Sequence, residues 1–104
     1  MISAQTIACL DDGMFDMEFD VIWSDPGSGK EIKTASSGVY RMGDTRSIDL
    51  SSYGIAEGTL VCPRVHAMLG DTHNGVPEVA FAANGAVATY MVSGSTLIFS
   101  VTLT

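Results

Sequence analysis

The chain has 104 residues, of which 46% are hydrophobic and only 16% are charged, and its formal net charge is -7. A chain of this length forms one domain, so we expect residues 1–104 to fold as a single unit. Five basic residues against twelve acidic ones cannot neutralise a run of phosphates, which argues against nucleic-acid binding and against purely electrostatic docking to an anionic membrane.

The amino-terminal stretch 1–13 lacks the basic region of a signal peptide, and polar residues interrupt its apolar ones. No stretch approaches the ~20 consecutive apolar residues of a membrane-spanning helix, so we expect no transmembrane segment. These features favour a cytoplasmic protein. A mature secreted chain that has lost its signal would show the same pattern.

The first half of the chain favours β-strands. Apolar residues alternate with polar ones through 14–23, which predicts a strand with one face in the core. The Asp-Asp-Gly turn at 11–13 predicts a hairpin that pairs this strand with an earlier one at 2–10. The Gly-rich loop 25–29 then returns the chain as a strand over 30–36.

Weaker strands follow at 38–42 and 46–50, and the segment 51–58 has the composition of a loop. A long apolar strand is predicted at 59–69. Pro63 lies within it and has no N–H to donate, so it marks an edge position or a bulge of that strand.

The last part of the chain contains two more turn signals. Asn84-Gly85 is the strongest short hairpin signal available, because both central residues of such a turn need positive φ. Strands at 86–92 and 97–103 flank a second turn at 93–95. About eight strands with a turn every 8–12 residues predict an all-β fold, a single antiparallel β-sandwich.

Self-association is the next expectation. A surface with few charges is easily used for contacts between copies of a chain. Several apolar residues also occupy strand positions that should face outward, which favours a homo-oligomer. They are Ile22, Leu60, Met68, Val87, Met91 and Ile98.

The carboxylates of the first long strand could suggest a calcium site. Asp16, Glu18 and Asp20 share one face, but a straight strand spreads them along a line, whereas calcium needs six to eight oxygens around a point. We therefore expect a solvated face, partly paired with Lys30 or Lys33 across the hairpin, and no metal site.

The cysteines and histidines offer little catalytic chemistry. Cys9 and Cys62 are expected to be buried thiols, or a disulfide if the chain is exported. Cys62 and His66 would lie about 13 Å apart along one strand, too far to share a metal unless the strand bulges at Pro63, and nothing local supports a nucleophilic Cys–His pair. No Ser-His-Asp arrangement is apparent. We expect neither an enzyme nor a cofactor.

Aromatic residues near loops suggest a binding role instead. Trp23 stands at the exit of its strand and Tyr53 lies in the 51–58 loop. Neutral sugars bind aromatic faces next to planar amides and carboxylates. Trp23 also belongs to the inward-facing set of its strand, so a place in the core is the other interpretation. The expected ligand-binding residues are Trp23, Asp25, Tyr53, Asp71, His73 and Asn74.

The segment 46–103 carries, in order, Ser47-Ile48-Asp49-Leu50, Glu57-Gly58, Ala88-Thr89-Tyr90, Ser93-Gly94-Ser95-Thr96-Leu97 and Phe99-Ser100-Val101. With these features it resembles the haemolysin-like β-sandwiches, a group that includes actinoporin-like proteins and fungal fruit-body lectins. The resemblance implies a compact sandwich that binds a glycan or a lipid headgroup at one end. The pore-forming members carry an amphipathic helix and an exposed aromatic cluster; this chain has no such helix and offers only Tyr53 for the cluster, which argues against lysis.

Two functions follow from these features. The first is a non-enzymatic binding module, lectin-like or headgroup-binding, that acts through loops at one end of the sandwich. Such sites are weak singly, and oligomerisation would raise their strength by avidity. The alternative is a homo-oligomeric structural or interaction protein, or a small subunit of a larger assembly.

Overall fold

The computed structural model describes residues 1–104 and consists of ten strands joined by loops. It contains no helix with the length and apolar character that a membrane crossing needs. The strands are β1 (Ser3–Ala4), β2 (Thr6–Asp11), β3 (Met17–Ser24), β4 (Glu31–Lys33), β5 (Thr45–Asp49), β6 (Leu60–Ala67), β7 (Thr72–Asn74), β8 (Val79–Phe81), β9 (Val87–Gly94) and β10 (Phe99–Leu103).

The strands form two sheets. The larger has six strands in the order β1-β8-β6-β3-β4, with β7 also paired to β6, and the smaller has four in the order β10-β9-β2-β5. Apolar residues at alternate positions of both sheets point into one common core of 20 buried residues. Phe19 of β3 and Ile7 and Tyr90 of the smaller sheet are among its fully buried members.

The prediction of an all-β fold is confirmed, but a single antiparallel sandwich of about eight strands is wrong in detail. There are ten strands, and both sheets are mixed. Strand β1 runs parallel to β8, and β2 runs parallel to β9. The parallel pairs arise because β1 with β2, and β8 with β9, pass side by side from the larger sheet to the smaller one. Two of the predicted hairpins are also crossings between the sheets.

The first of these crossings is the Asp-Asp-Gly turn at 11–13. It joins β2 of the smaller sheet to β3 of the larger one, and the ladder of β3 begins only at Met17. The second is the turn at Asn84-Gly85, where Gly85 has the expected positive φ of 73° but Asn84 does not have the positive φ also expected of it, and the chain passes from β8 to β9 in the other sheet. Turn chemistry specifies a reversal but does not choose the partner strand.

The other two hairpins have the predicted partners. Strand β4 returns antiparallel along β3 after the loop at 25–30, and β10 returns antiparallel along β9. The predicted strand at 38–42 is instead a loop, which touches the sheet through one bridge between Tyr40 and Met17.

Pro63 lies where β6 changes neighbours on one side. Strand β8 pairs with β6 at Leu60 and Val61, and β7 pairs with it from Arg64 onward. The carbonyl of Pro63 accepts a hydrogen bond from the Gly75 N–H at 2.8 Å, so its nitrogen faces the gap between these two neighbours. A residue without an N–H is tolerated at this interruption of the ladder.

The burial and the pairing of Asp20, a carboxylate of β3, differ from the sequence-based expectation. Asp20 is buried rather than solvated, and its partner is Arg64 of β6 instead of a lysine of the hairpin. The guanidinium of Arg64 donates to both carboxylate oxygens of Asp20, at 3.2 and 3.1 Å, and to Glu31 at 2.7 Å. Cys9 and Cys62 are buried free thiols, as the first interpretation expected.

Candidate functional site

Four loops meet at the end of the molecule where β3 begins. We call this the apolar end and define it as residues 12–16, 41–44, 68–71 and 94–98. Backbone hydrogen bonds connect these loops to one another and to the end of β2. The bonds run from the N–H of Met14 to Gly94 O at 3.0 Å, Met68 to Asp16 O at 2.9 Å, Asp71 to Thr96 O at 2.9 Å and Gly43 to Asp11 O at 2.7 Å.

Large apolar side chains project from this end into solvent. A cluster of exposed apolar residues on one surface of a small domain marks an interaction site more often than scattered ones do. Each of the four loops contributes at least one. The relative exposures are Met14 83%, Met42 59%, Leu69 104%, Leu97 64% and Ile98 81%.

Local backbone constraints hold Leu69 outward. Its φ is +59°, in the left-handed region that non-Gly residues rarely adopt. The next residue, Gly70, lies so close to the neighbouring loop that a Cβ built on it would come within 2.4 Å of the Thr96 carbonyl oxygen. The tight contact between the two loops therefore presents a fully exposed leucine at the tip.

Aromatic packing anchors the apolar end to the core. The ring centroids of Phe15 and Phe99 lie 5.1 Å apart, and His73 meets Phe99 edge-on at 4.4 Å. A Cβ on Gly13 would come within 2.5 Å of the Phe15 ring, so the turn closes over that ring only because residue 13 is glycine. The exposed residues thus project from a packed support.

The charges at this end are mainly acidic. Asp12, Asp16, Asp44 and Asp71 are all exposed, and Arg41 is the single basic residue among the four loops. Its guanidinium lies 3.9 Å from Asp44, and both side chains are largely in solvent. The end combines apolar tips with a net negative surround.

Asp11 lies fully buried at the base of the apolar end. One carboxylate oxygen accepts the N–H of Gly13 at 3.0 Å, and the other has no hydrogen-bond partner. Burial raises the pKa of this carboxyl to about 6; the Gly13 hydrogen bond opposes the increase, and the charges of Asp16 and Asp12 add to it. A charged carboxylate in this position destabilises the fold, and protonation removes that destabilisation.

Three of the residues predicted to bind a ligand lie together at the opposite end. Trp23 and Tyr53 pack edge-to-face with centroids 6.1 Å apart, and both line a hollow of about 200 Å³ together with Asp25. Trp23 is nevertheless only 8% exposed and belongs to the core. The Tyr53 hydroxyl accepts the N–H of Ala35 at 3.3 Å.

Asp25 is engaged within its own turn. Its carboxylate accepts the N–H of Ser28 at 3.0 Å and the hydroxyl of Ser28 at 2.7 Å. These bonds lower the pKa of Asp25 below its ordinary value, the hydroxyl bond contributing most. Its geometry is that of a loop-capping residue.

The other three predicted residues lie elsewhere. Asp71 belongs to the apolar end, and His73 is wedged beneath it against Phe99 with a buried Nε2 that has no hydrogen-bond partner. Asn74 lines a separate cavity on the outer face of the larger sheet. The six residues therefore do not converge on one place.

Sequence reasoning identified only Ile98 among the exposed apolar residues of the apolar end. A usable signal was nonetheless present in the chain. Met14 follows Gly13 directly, while Met42 and Leu69 directly precede Gly43 and Gly70. In these three turns the apolar residue beside the glycine faces solvent, so the pattern is a signal for an exposed loop tip, although Ile55 beside Gly54 packs against the core.

No protein-family model matches the chain, and no curated protein matches it significantly. Among solved structures, one described as a Gram-negative toxin has a TM-score of 0.56 at 16% identity. The matched region covers 99% of this chain and 23% of the toxin chain. The membrane-binding domain of pneumolysin has a TM-score of 0.49 at 20% identity, with 95% of this chain and 94% of that one covered. Listeriolysin O has a TM-score of 0.49 at 18% identity, with 95% and 22% covered.

This chain thus spans about a quarter of the length of the Gram-negative toxin. At 16% identity the likeness concerns the fold alone. It supports the coarse expectation of a toxin-like β fold, whereas the narrower resemblance to actinoporin-like proteins and fungal lectins stays a prediction. The chain has a β fold that also occurs as part of a toxin.

Proposed function

We propose that this protein is a non-enzymatic module that docks on a lipid surface by inserting its apolar end among the headgroups. The observation that carries the proposal is the set of exposed apolar residues on four hydrogen-bonded loops, defined above. Large apolar side chains at loop tips, held on a packed support, can enter the headgroup region without any rearrangement of the sheets.

The expected free energy of docking follows from the apolar surface area that docking removes from water. Full burial of a Leu, Ile or Met side chain contributes roughly 1.5–3 kcal/mol. Leu97 and Ile98 are adjacent on one loop and are 64% and 81% exposed, so burial of what remains exposed would together contribute about 2–4 kcal/mol. The ordered loops limit the conformational entropy lost on docking.

The charge of the apolar end favours an uncharged or zwitterionic surface. Its four aspartates outnumber its one arginine, so an anionic headgroup would be repelled, and screening reduces this repulsion at physiological salt without reversing it. A glycan partner receives less support, because Trp23 is buried and the Tyr53 hydroxyl is already hydrogen-bonded.

Vesicle sedimentation tests the proposal. We expect the protein to co-sediment with phosphatidylcholine vesicles, and less with vesicles that also contain phosphatidylserine. The double variant Leu97→Ser, Ile98→Ser should lower the partition coefficient at least about thirtyfold, by the energies above. The matched control is Ile2→Ser, Ile32→Ser, which removes two exposed apolar residues away from the apolar end and should bind as the wild type does.

Binding that survives the Leu97 and Ile98 substitutions, or that falls equally in the control, would contradict the proposal. A near-identical thermal transition of the two double variants would show that lost binding does not reflect unfolding. A parallel glycan-binding measurement on the same protein tests the other expected ligand class of this module, a glycan.

A second function, homo-oligomerisation, is favoured by the outer face of the smaller sheet. Strand register places Ala8, Leu10, Thr89 and Met91 side by side at its centre, and Asp49 at one corner is the only charged residue on that face of the four strands. With a single charge, at its corner, this face lets two copies of an acidic chain meet with little repulsion. Light scattering tests this, since Thr89→Lys should convert an oligomer to monomer.

A further inference from the structure

The largest cavity of the molecule is on the outer face of the six-stranded sheet, in the half away from the apolar end. It has a volume of about 550 Å³, within the range of small-molecule sites. Its floor comes from alternate residues of the two central strands, Ile22 of β3 with Leu60 and Cys62 of β6. Membrane docking at the apolar end does not involve this cavity.

One wall of the cavity is the segment 74–78, which is firmly attached to the rest of the fold. A Cβ on Gly75 would come within 2.7 Å of the Pro63 ring and 2.9 Å of the Tyr90 ring. The N–H of Val76 donates to Val101 O at 2.9 Å, and its carbonyl accepts the N–H of Leu103 at 2.9 Å. The wall is therefore preformed, which limits the entropic cost of ligand binding.

The opposite wall carries Glu31 of β4. Its carboxylate binds the Arg64 guanidinium at 2.7 Å, and Arg64 is also bound by both oxygens of Asp20. Two carboxylates therefore surround one guanidinium, and that group is not available to a ligand. No lysine, arginine or histidine lines the cavity.

Glu78 is the carboxylate that remains. It lines the cavity and forms no ion pair or side-chain hydrogen bond. Both Glu78 and Glu31 act electrostatically on the Cys62 thiol, whose pKa burial and these charges raise to about 11. The thiol is thus neutral, and it serves as an apolar floor rather than as a nucleophile.

From this arrangement we infer that the cavity is a binding site for a small organic ammonium ion with an apolar body. The ammonium group pairs with the Glu78 carboxylate, and the side chain of Asn74 offers a further hydrogen-bond partner at the same wall. The apolar body covers Ile22 and Leu60. Anionic ligands are excluded because the cavity offers them two carboxylates and no free cation.

Three probes that share one apolar chain separate charge recognition from simple burial: hexylammonium, 1-hexanol and hexanoate. Each is titrated into the ¹⁵N-labelled protein while backbone chemical shifts are followed. We expect hexylammonium to give saturable shifts at Ile22, Cys62 and Gly75. Hexanol should bind about fivefold more weakly than hexylammonium, which is the effect expected from the loss of a partly exposed charge pair. Hexanoate should give no saturable shifts.

The variant Glu78→Gln removes the charge and keeps the shape, and it should weaken hexylammonium binding about fivefold. The control is Glu18→Gln, which makes the same chemical change on the same sheet face but outside the cavity. The inference is overturned if hexylammonium shifts none of the cavity residues, if hexanoate binds equally well, or if the two variants weaken binding to the same extent.

Discussion

Asp11→Asn tests how the buried carboxyl beneath the apolar end affects stability. An asparagine keeps the side-chain oxygen that accepts the Gly13 N–H but cannot ionise. The pKa of Asp11 in the folded chain is about 6, against an ordinary value of 3.8. The folded state therefore holds this proton more tightly than the unfolded state does, and protonation at low pH stabilises the fold.

The sign and size of the effect follow from linkage. Well below pH 3.8 both states carry the proton and no penalty exists. As pH rises from 3.8 to 6 the unfolded state releases its proton while the folded state still holds it, so stability falls, and above pH 6 the folded state carries the full cost of a buried charge. The full loss is about 3 kcal/mol, since one pKa unit corresponds to 1.36 kcal/mol. Between pH 5 and pH 7.5 the loss is about 1.4 kcal/mol.

Urea unfolding provides the assay, with fluorescence of the single tryptophan, Trp23, as the signal. The quantity compared is the difference between two free energies of unfolding, that of the wild type minus that of Asp11→Asn. We expect this difference to fall by about 1.4 kcal/mol from pH 5 to pH 7.5. Contributions from the other carboxylates cancel in this difference. Parallel pH profiles, or a difference that grows with pH, would refute the reasoning. At any one pH the difference also contains the cost of the unpartnered amide N–H of the asparagine.

Three further predictions concern packing and reactivity. Gly70→Ala should lower the free energy of unfolding by about 2 kcal/mol, because its methyl group would overlap the Thr96 backbone; a neutral result in urea unfolding would contradict the close contact. Arg64→Met should destabilise by about 3 kcal/mol, because it leaves the Asp20 carboxylate buried without its partner, and the double variant with Asp20→Leu should recover much of that loss. Cys62 should react with a disulfide reagent far more slowly in the native protein than in urea at pH 8, because its pKa is raised to about 11; equal rates would show an accessible thiolate.

Strand positions were accessible to sequence reasoning because they rest on local physics. A period of two in apolar residues specifies an extended segment with one buried face, as in β3 and β10, whatever its neighbours are. The hairpins β3–β4 and β9–β10 were equally local, since a short loop brings adjacent strands together. The same reasoning failed for the turns at 11–13 and 84–85, whose flanking strands belong to different sheets.

Contacts between residues that are far apart in the chain could not be predicted from the sequence. Asp20 and Arg64 are 44 positions apart, and nothing local distinguishes this pair from the lysines of the neighbouring hairpin. The predicted ligand-binding residues illustrate the same limit, because Asp25 and Tyr53 lie at one end of the molecule while Asp71 lies at the other. Only the sheet order determines which loops share an end.

The sequence alone determined the all-β class, most strand positions and the acidic, weakly charged surface, because alternation and composition are properties of neighbouring residues. The tertiary structure decided the two mixed sheets, the meeting of four loops at the apolar end and the cavity beside Glu78. These features depend on which strands pair across the core. That choice is made by burial of the whole apolar set at once, and no single segment encodes it.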